Sequence, residues 1–334
     1  MDYVAGILNG DRAILSKAIT LVESSREVDR RLADDIVDSC LRVSGDSIVI
    51  GVTGIPGAGK SSLIEALGKH IITNKRAKVA VLAVDPSSRI SGGSILGDKT
   101  RMSFLASSAM AYIRPSPTRG MLGGVAHRTR EAIVLCKAAG YRYVFVETVG
   151  VGQSETTVRD MVDFFLMVAL AGAGDELQGI KRGVMEMADA VVVNKADGDN
   201  LCEAEKARAE AERALHFLRP SLSGWVPRAM ICSARTGLGV EEIWLSILAH
   251  HDVLRESGKL EQSWRDQQLH WLHESVEEGL MQLFLADPVV KERWTDIEQK
   301  VAAGQITALS AARSLLSFYE SERRALWVES GPDL

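Results

Sequence analysis

Gly54-Ile55-Pro56-Gly57-Ala58-Gly59-Lys60-Ser61 has the residue types and spacing of a loop that wraps phosphate. Glycines let successive backbone N–H groups curl towards an anion, and the helix that follows adds its positive end. Lys60 is long enough to reach β- and γ-phosphates, and the Ser61 hydroxyl suits Mg²⁺. Gly54, Pro56, Gly57, Ala58, Gly59, Lys60, Ser61 and Ser62 are therefore candidate nucleotide contacts. About 140 residues on, Asn194-Lys195-Ala196-Asp197 closes another apolar run. A carboxylate at Asp197 can accept two hydrogen bonds from the N1–H and exocyclic amine of guanine, a donor pair that adenine lacks. Asn194, Lys195 and Asp197 are the base-reading candidates. Ser233 and Ala234, in Ile231-Cys232-Ser233-Ala234, are candidates for a second loop against the base.

Carboxylates complete the pattern. Glu147-Thr148-Val149-Gly150 sits where nucleotide hydrolases of this kind place DxxG, with Glu for Asp. Glu147 can hold Mg²⁺ directly or through water, and the Gly150 amide can sense the γ-phosphate. Asp85 ends an apolar run, and a carboxylate at the C-terminal end of a parallel strand points into the ligand crevice. Asp98 follows in Gly97-Asp98-Lys99-Thr100-Arg101; its plain alternative is a helix N-cap. The expected metal shell is Ser61, Asp85, Asp98 and Glu147. Lys60, Asp85, Asp98, Glu147 and Gln153 are the candidates for attack of water on the γ-phosphate of GTP, leaving GDP. A water-orienting Gln would directly follow DxxG; Val151 stands there and Gln153 lies two residues later, so slow unassisted hydrolysis is expected. Gly172 to Gly183 is glycine-rich and charged, and reads as a loop able to report nucleotide state, with Asp175, Glu176, Gln178, Lys181 and Arg182 as its polar candidates.

These residues need a scaffold. Short continuously apolar runs at 48–52, 79–84, 143–147, 165–170, 190–194 and 229–232 read as strands buried on both faces of a sheet. Helical stretches at 60–73, 125–139 and 201–218 separate them, which predicts an α/β fold with a mainly parallel sheet. N-terminal helices precede it, with Val28, Leu32, Ile36 and Cys40 expected on one helix face. After about Leu260 the strands stop. Leu269, Leu272, Val276, Leu280 and Leu283 step by three or four residues, and further helices are expected at 289–303 and 307–322. The expected divisions are an N-terminal helical segment at 1–45, a nucleotide-binding domain at 46–258 and a C-terminal helical arm at 259–334.

Of 29 glycines, 18 fall between Gly51 and Gly183, where the chain must wrap or follow a nucleotide; all six tryptophans lie in the last third, which reads as interface. Lys and Arg number 39 against 44 Asp and Glu, a net charge of −5, which argues against nucleic acid as a partner. No apolar run approaches the ~20 residues of a membrane span. Four scattered cysteines read as reduced thiols. With no signal or transit pattern at Met1-Asp2-Tyr3-Val4-Ala5, a cytoplasmic location is expected.

Asp85-Pro86-Ser87-Ser88, the stretch Ser91-Gly92-Gly93-Ser94-Ile95-Leu96-Gly97-Asp98-Lys99-Thr100-Arg101-Met102, Arg114-Pro115-Ser116-Pro117 and Glu147-Thr148-Val149-Gly150-Val151-Gly152-Gln153-Ser154-Glu155 together resemble the MeaB/ArgK-type P-loop GTPases. The similarity spans nearly the whole chain. It implies a SIMIBI-like GTPase using GTP/GDP and Mg²⁺, a homodimer formed through the C-terminal arm, and a partner that is an adenosylcobalamin-dependent acyl-CoA mutase, chiefly methylmalonyl-CoA mutase. It also implies that Asp98 to Met102 lie in switch I, Glu147 to Gln153 in switch II, and the loop from Gly172 to Gly183 in a third switch facing the mutase. GTP hydrolysis, slow alone and stimulated by the mutase, would then gate cobalamin delivery and protect or reactivate the mutase. Two alternatives use the same loop: a metal-insertion GTPase of the hydrogenase or urease type, and a small-molecule kinase. The first calls for a Cys/His cluster that is absent here, and the second has no use for Asp197.

Overall fold

Seven runs of residues extend as strands: β1 (Ile48–Gly54), β2 (Val79–Asp85), β3 (Ala111–Pro117), β4 (Tyr143–Thr148), β5 (Phe164–Leu170), β6 (Ala190–Asn194) and β7 (Arg228–Ile231). They form one sheet in the order β3-β2-β4-β1-β5-β6-β7, with every pairing parallel. This computed structural model describes residues 2–24, 26–43, 45–85, 102–117, 122–148, 154–171, 182–216 and 224–330.

Continuous apolar runs are what such a sheet requires, because alternate side chains feed two cores. Val49, Val144, Val146, Phe165, Met167, Val191 and Val193 face one layer. Ile50, Val52, Phe145, Phe164, Leu166 and Val192 face the other. The first layer holds α1 (Tyr3–Leu8), α2 (Arg12–Val22), α3 (Glu27–Leu41), α6 (Leu122–Ala138), α7 (Ser154–Arg159), α8 (Arg182–Met187) and α9 (Leu201–His216). The second holds α4 (Lys60–His70), α5 (Ser103–Ser107) and α10 (Val240–Glu256). The carboxylate of Asp11 caps α2 by accepting from the N–H groups of Ala13 and Ile14 at 2.8 and 3.1 Å.

Six of the seven strands coincide with the expected runs. β3 is the exception, because Pro115 and Pro117 argue against a strand. Among the described residues it lies at the sheet edge, paired only with β2. The N–H of Val79 donates to the carbonyl of Met110 at 3.0 Å. The even-numbered residues of β3 therefore carry the parallel ladder, and the two prolines fall where an N–H would face outwards.

Two further expectations need correction. In α3 the buried face is Ala33, Ile36, Val37 and Cys40, while Val28 is 81% and Leu32 42% exposed. The stripe rotates by one residue, so a four-residue step traced back from Cys40 runs off the packed side. Trp225 and Trp244 are buried in the sheet-bearing unit and are not interface residues. Trp264 belongs there too: its indole N–H donates to Asp163 Oδ1 at 2.6 Å, and Asp163 Oδ2 accepts the N–H of Val49, at the start of β1, at 2.8 Å.

The chain divides into two compact units, Met1–Gln268 and Leu269–Leu334. The boundary falls within α11 (Lys259–Ala286), which α12 (Pro288–Ala302) and α13 (Ala308–Ser330) follow. In the second unit Asp287 caps α12 with Pro288 at its first position, and Phe284 meets Tyr319 edge-on at 5.1 Å. Leu269, Leu272, Val276, Leu280 and Leu283 are all more than half exposed along α11. No helix among the described residues is long and apolar enough to cross a membrane.

Candidate nucleotide site

Parallel strands bring their C-terminal ends to one rim of the sheet, and the chain's distinctive polar residues gather there. β1 ends at Gly54 and runs into the loop that opens α4. Gly54 has φ +142° and Gly59 φ +87°. A Cβ on Gly54 would lie 2.1 Å from the carbonyl oxygen of Val168, and one on Gly59 2.5 Å from Asn194 Nδ2. Both positions exclude any side chain on space as well as on dihedral. Ala58 is fully buried, whereas Pro56, Gly57 and Ser62 are exposed.

Lys60 and Ser61, on the first turn of α4, are both buried. Lys60 Nζ donates to the carbonyls of Gly54 and Ile55 at 2.8 and 3.2 Å, which folds the ammonium over the loop. Burial pulls this ammonium below its usual range, and the nearby Glu147 carboxylate pushes the other way. The Ser61 hydroxyl donates to Glu147 Oε1 at 2.7 Å. Glu147 sits near the end of β4, level with Val52 of β1 and Ala83 of β2. The next residue, Thr148, donates its hydroxyl to that of Thr53 at 3.0 Å, with both side chains fully buried.

Asp85 closes β2, the strand beside β4. A hydroxyl and a carboxylate oxygen in contact form a hard-oxygen pair, the donor chemistry that suits Mg²⁺. Among the described residues, no group of three or more His, Cys, Asp or Glu side chains is arranged to hold a metal. Asp98, Gly150, Gln153, Asp175, Glu176, Gln178 and Lys181 lie outside the described residues, and Arg182 opens α8.

β6 delivers the base-reading candidates. Asn194 is 1% exposed and works at both ends. Its Nδ2 donates to the carbonyl of Ala58 in the phosphate loop at 2.8 Å. Its Oδ1 accepts from the Ala234 N–H at 3.2 Å and from the Cys232 thiol at 3.3 Å. One amide therefore joins two loops that are distant in sequence. Burial pushes the Cys232 thiol up to about 12, so it stays a neutral donor. Lys195 adopts a left-handed φ of +63° and is exposed. Asp197 accepts the hydroxyl of Ser233 on one oxygen and the guanidinium of Arg235 on the other.

The structure thus brings together Lys60, Ser61 and Glu147, and separately Asn194, Asp197, Ser233 and Ala234. Sequence reasoning missed the Thr53–Thr148 pair and Arg235. Asp197 and Arg235 are 38 residues apart, and no local pattern marks a contact over that distance.

Comparison with known proteins places the chain among GTPases. The family model described as methylmalonyl-CoA mutase-associated GTPase MeaB matches residues 15–289. A probable GTPase of Mycobacterium bovis is 47% identical over 310 residues, which cover 93% of this chain and 92% of that protein. The mitochondrial methylmalonic aciduria type A homolog of Mus musculus is 43% identical over 326 residues, covering 95% and 78% respectively. A crystal structure described as LAO/AO transport system kinase aligns with TM-score 0.75 at 38% identity, over 96% of this chain and 97% of its own.

Proposed function

The chain belongs to the MeaB family of methylmalonyl-CoA mutase-associated GTPases, and from that premise we propose that it is a conformational switch serving an adenosylcobalamin-dependent acyl-CoA mutase. In this reading GTP binding and hydrolysis gate cobalamin loading and protect or reactivate the mutase. Methylmalonyl-CoA mutase is the favoured partner, since the family description and the mouse relative's name both point to methylmalonyl metabolism. The five half-exposed apolar residues along α11 support a homodimer built through the C-terminal arm. Cytoplasmic residence belongs to the same reading.

Each side chain has a part in it. The amides of residues 54–61 cradle the phosphates, and Lys60 exchanges its loop carbonyls for the β- and γ-phosphates, stabilising charge as it develops. Ser61 and Glu147, with Asp85 and Asp98, would hold Mg²⁺, which would neutralise phosphate oxygens. Asp197 accepts from the guanine edge, while Ser233 orients it. Asn194 sets the base loop against the phosphate loop. Gln153, displaced from the usual water-orienting position, supports slow unassisted turnover.

The contact between Ser61 and Glu147 at the head of the phosphate loop carries the hydrolytic half of the proposal. Two measurements test the whole. GTP hydrolysis should rise on adding purified methylmalonyl-CoA mutase; an unchanged rate at saturating mutase overturns the partner. Asp197→Asn should shift preference from GTP to xanthosine triphosphate; unchanged GTP use overturns the base assignment. A small-molecule kinase remains the second reading, suggested by the name of the solved relative. It predicts phosphate transfer to an acceptor other than water.

A further inference from the structure

The loop after β7 is closed on itself. The Ser233 N–H donates to the Leu238 carbonyl at 3.0 Å, and the Gly237 N–H to the Ser233 carbonyl at 2.8 Å. The Ser233 hydroxyl accepts the Thr236 N–H at 3.2 Å while donating to Asp197. Ser233 is fully buried, so its hold on Asp197 Oδ2 is built into the fold. The other oxygen is held differently. Arg235 reaches it from a loop apex with its side chain 78% exposed, while the Asp197 side chain is 20% exposed. One carboxylate oxygen is thus committed to a buried hydroxyl, and the other to a solvent-borne cation.

A base that donates two adjacent N–H groups needs one in-plane lone pair on each carboxylate oxygen. Ser233 takes a lone pair of Oδ2 and Arg235 one of Oδ1. Of the two donors only Arg235 brings a positive charge, which draws down the acceptor strength that the base needs. We propose that Arg235 is an intramolecular competitor for the guanine edge: its ion pair with Asp197 draws on the same carboxylate charge as the base N–H groups, loosens when guanine arrives, and so weakens guanine-nucleotide retention. This rests on the reading of Asp197 as the base acceptor. Arg235 acts through Asp197 and is a specificity-tuning residue. Hypoxanthine keeps the N1–H and lacks the 2-amino group, so an inosine nucleotide asks for one carboxylate oxygen where guanine asks for both. Arg235 therefore opposes guanine more than hypoxanthine and narrows the gap between guanosine and inosine nucleotides.

The test is equilibrium binding of GDP and IDP to the full chain and to Arg235→Ala and Arg235→Lys, at low and high salt. An exposed ion pair of this kind contributes at most about 1 kcal/mol, or about fivefold, and is screened by salt. Arg235→Ala should bind GDP about two- to fivefold more tightly than wild type at low salt, with slower release and a smaller change for IDP. The advantage should shrink at high salt, and Arg235→Lys should return towards wild type. GDP affinity that is equal or weaker in Arg235→Ala overturns the proposal, as does an equal gain for IDP. Failure of the underlying assignment shows separately, as GTP preference over xanthosine triphosphate retained in Asp197→Asn.

Discussion

Gly59→Ala probes the joint that Asn194 makes between the phosphate loop and the loop after β7. Two costs arise. A Cβ at φ +87° puts an L-residue in the left-handed region, about 1–2 kcal/mol. The same Cβ would sit 2.5 Å from Asn194 Nδ2. That amide cannot step aside cheaply, because it is buried and bonded at both ends. Pushing it off the Ala58 carbonyl orphans a buried acceptor, at about 1–3 kcal/mol. The unfolded chain gives back about 0.4–1 kcal/mol, since alanine has less freedom to lose than glycine. The net expectation is about 2–3 kcal/mol of destabilisation, read by urea unfolding with an unchanged denaturant slope. The decisive form is a double-mutant cycle. In an Asn194→Ala background the clash disappears and only the dihedral cost remains. The double variant should therefore be more stable than the sum of the singles by about 1–2 kcal/mol. Additivity within about 0.5 kcal/mol would refute the reasoning, because the two sites would then be independent.

Other consequences are as open to measurement. Ser61→Ala should weaken Mg²⁺-dependent nucleotide binding by about tenfold or more, with metal-free GDP binding little changed, as followed by titration with and without EDTA. Trp264→Phe leaves Asp163 without its indole donor and should cost about 1–2 kcal/mol in urea unfolding. Glu131, on α6, is pushed up to about 7 from 4.5, first by burial and then by the Asp34 carboxylate. The folded state therefore holds a proton between those pH values that the unfolded chain has released, so the wild type loses stability as pH rises from about 4.5 to 7. Glu131→Gln should escape this loss, gaining up to about 3 kcal/mol on wild type by pH 7 and nothing more above it; parallel stability curves would count against it.

Much of the candidate site is legible because binding phosphate and guanine calls for particular residue types at fixed spacing. Gly54 to Ser61 and Asn194 to Asp197 are short, contiguous and placed at strand ends. The strands were legible for a related reason, since burial on both faces leaves unbroken apolar runs such as Ile48 to Val52. β3 was hidden because Pro115 and Pro117 break the usual strand signature, and only its edge position makes them tolerable. The α3 stripe was misread because Val28 and Leu32 share the four-residue step of the buried residues without sharing their neighbours. The tie through Asn194 and the grip of Arg235 on Asp197 join loops distant in sequence and close only in the fold. Such contacts leave no periodic trace.

The sheet's two borders also limit what the molecule can become at high concentration. A bare strand edge is a template on which another chain can continue the ladder. At one border, two of the outward positions are proline and have no hydrogen to offer. At the other, β7 is four residues long. Neither gives an incoming strand a run long enough to register against. Both borders therefore disfavour growth of the ladder from one copy of this chain to the next.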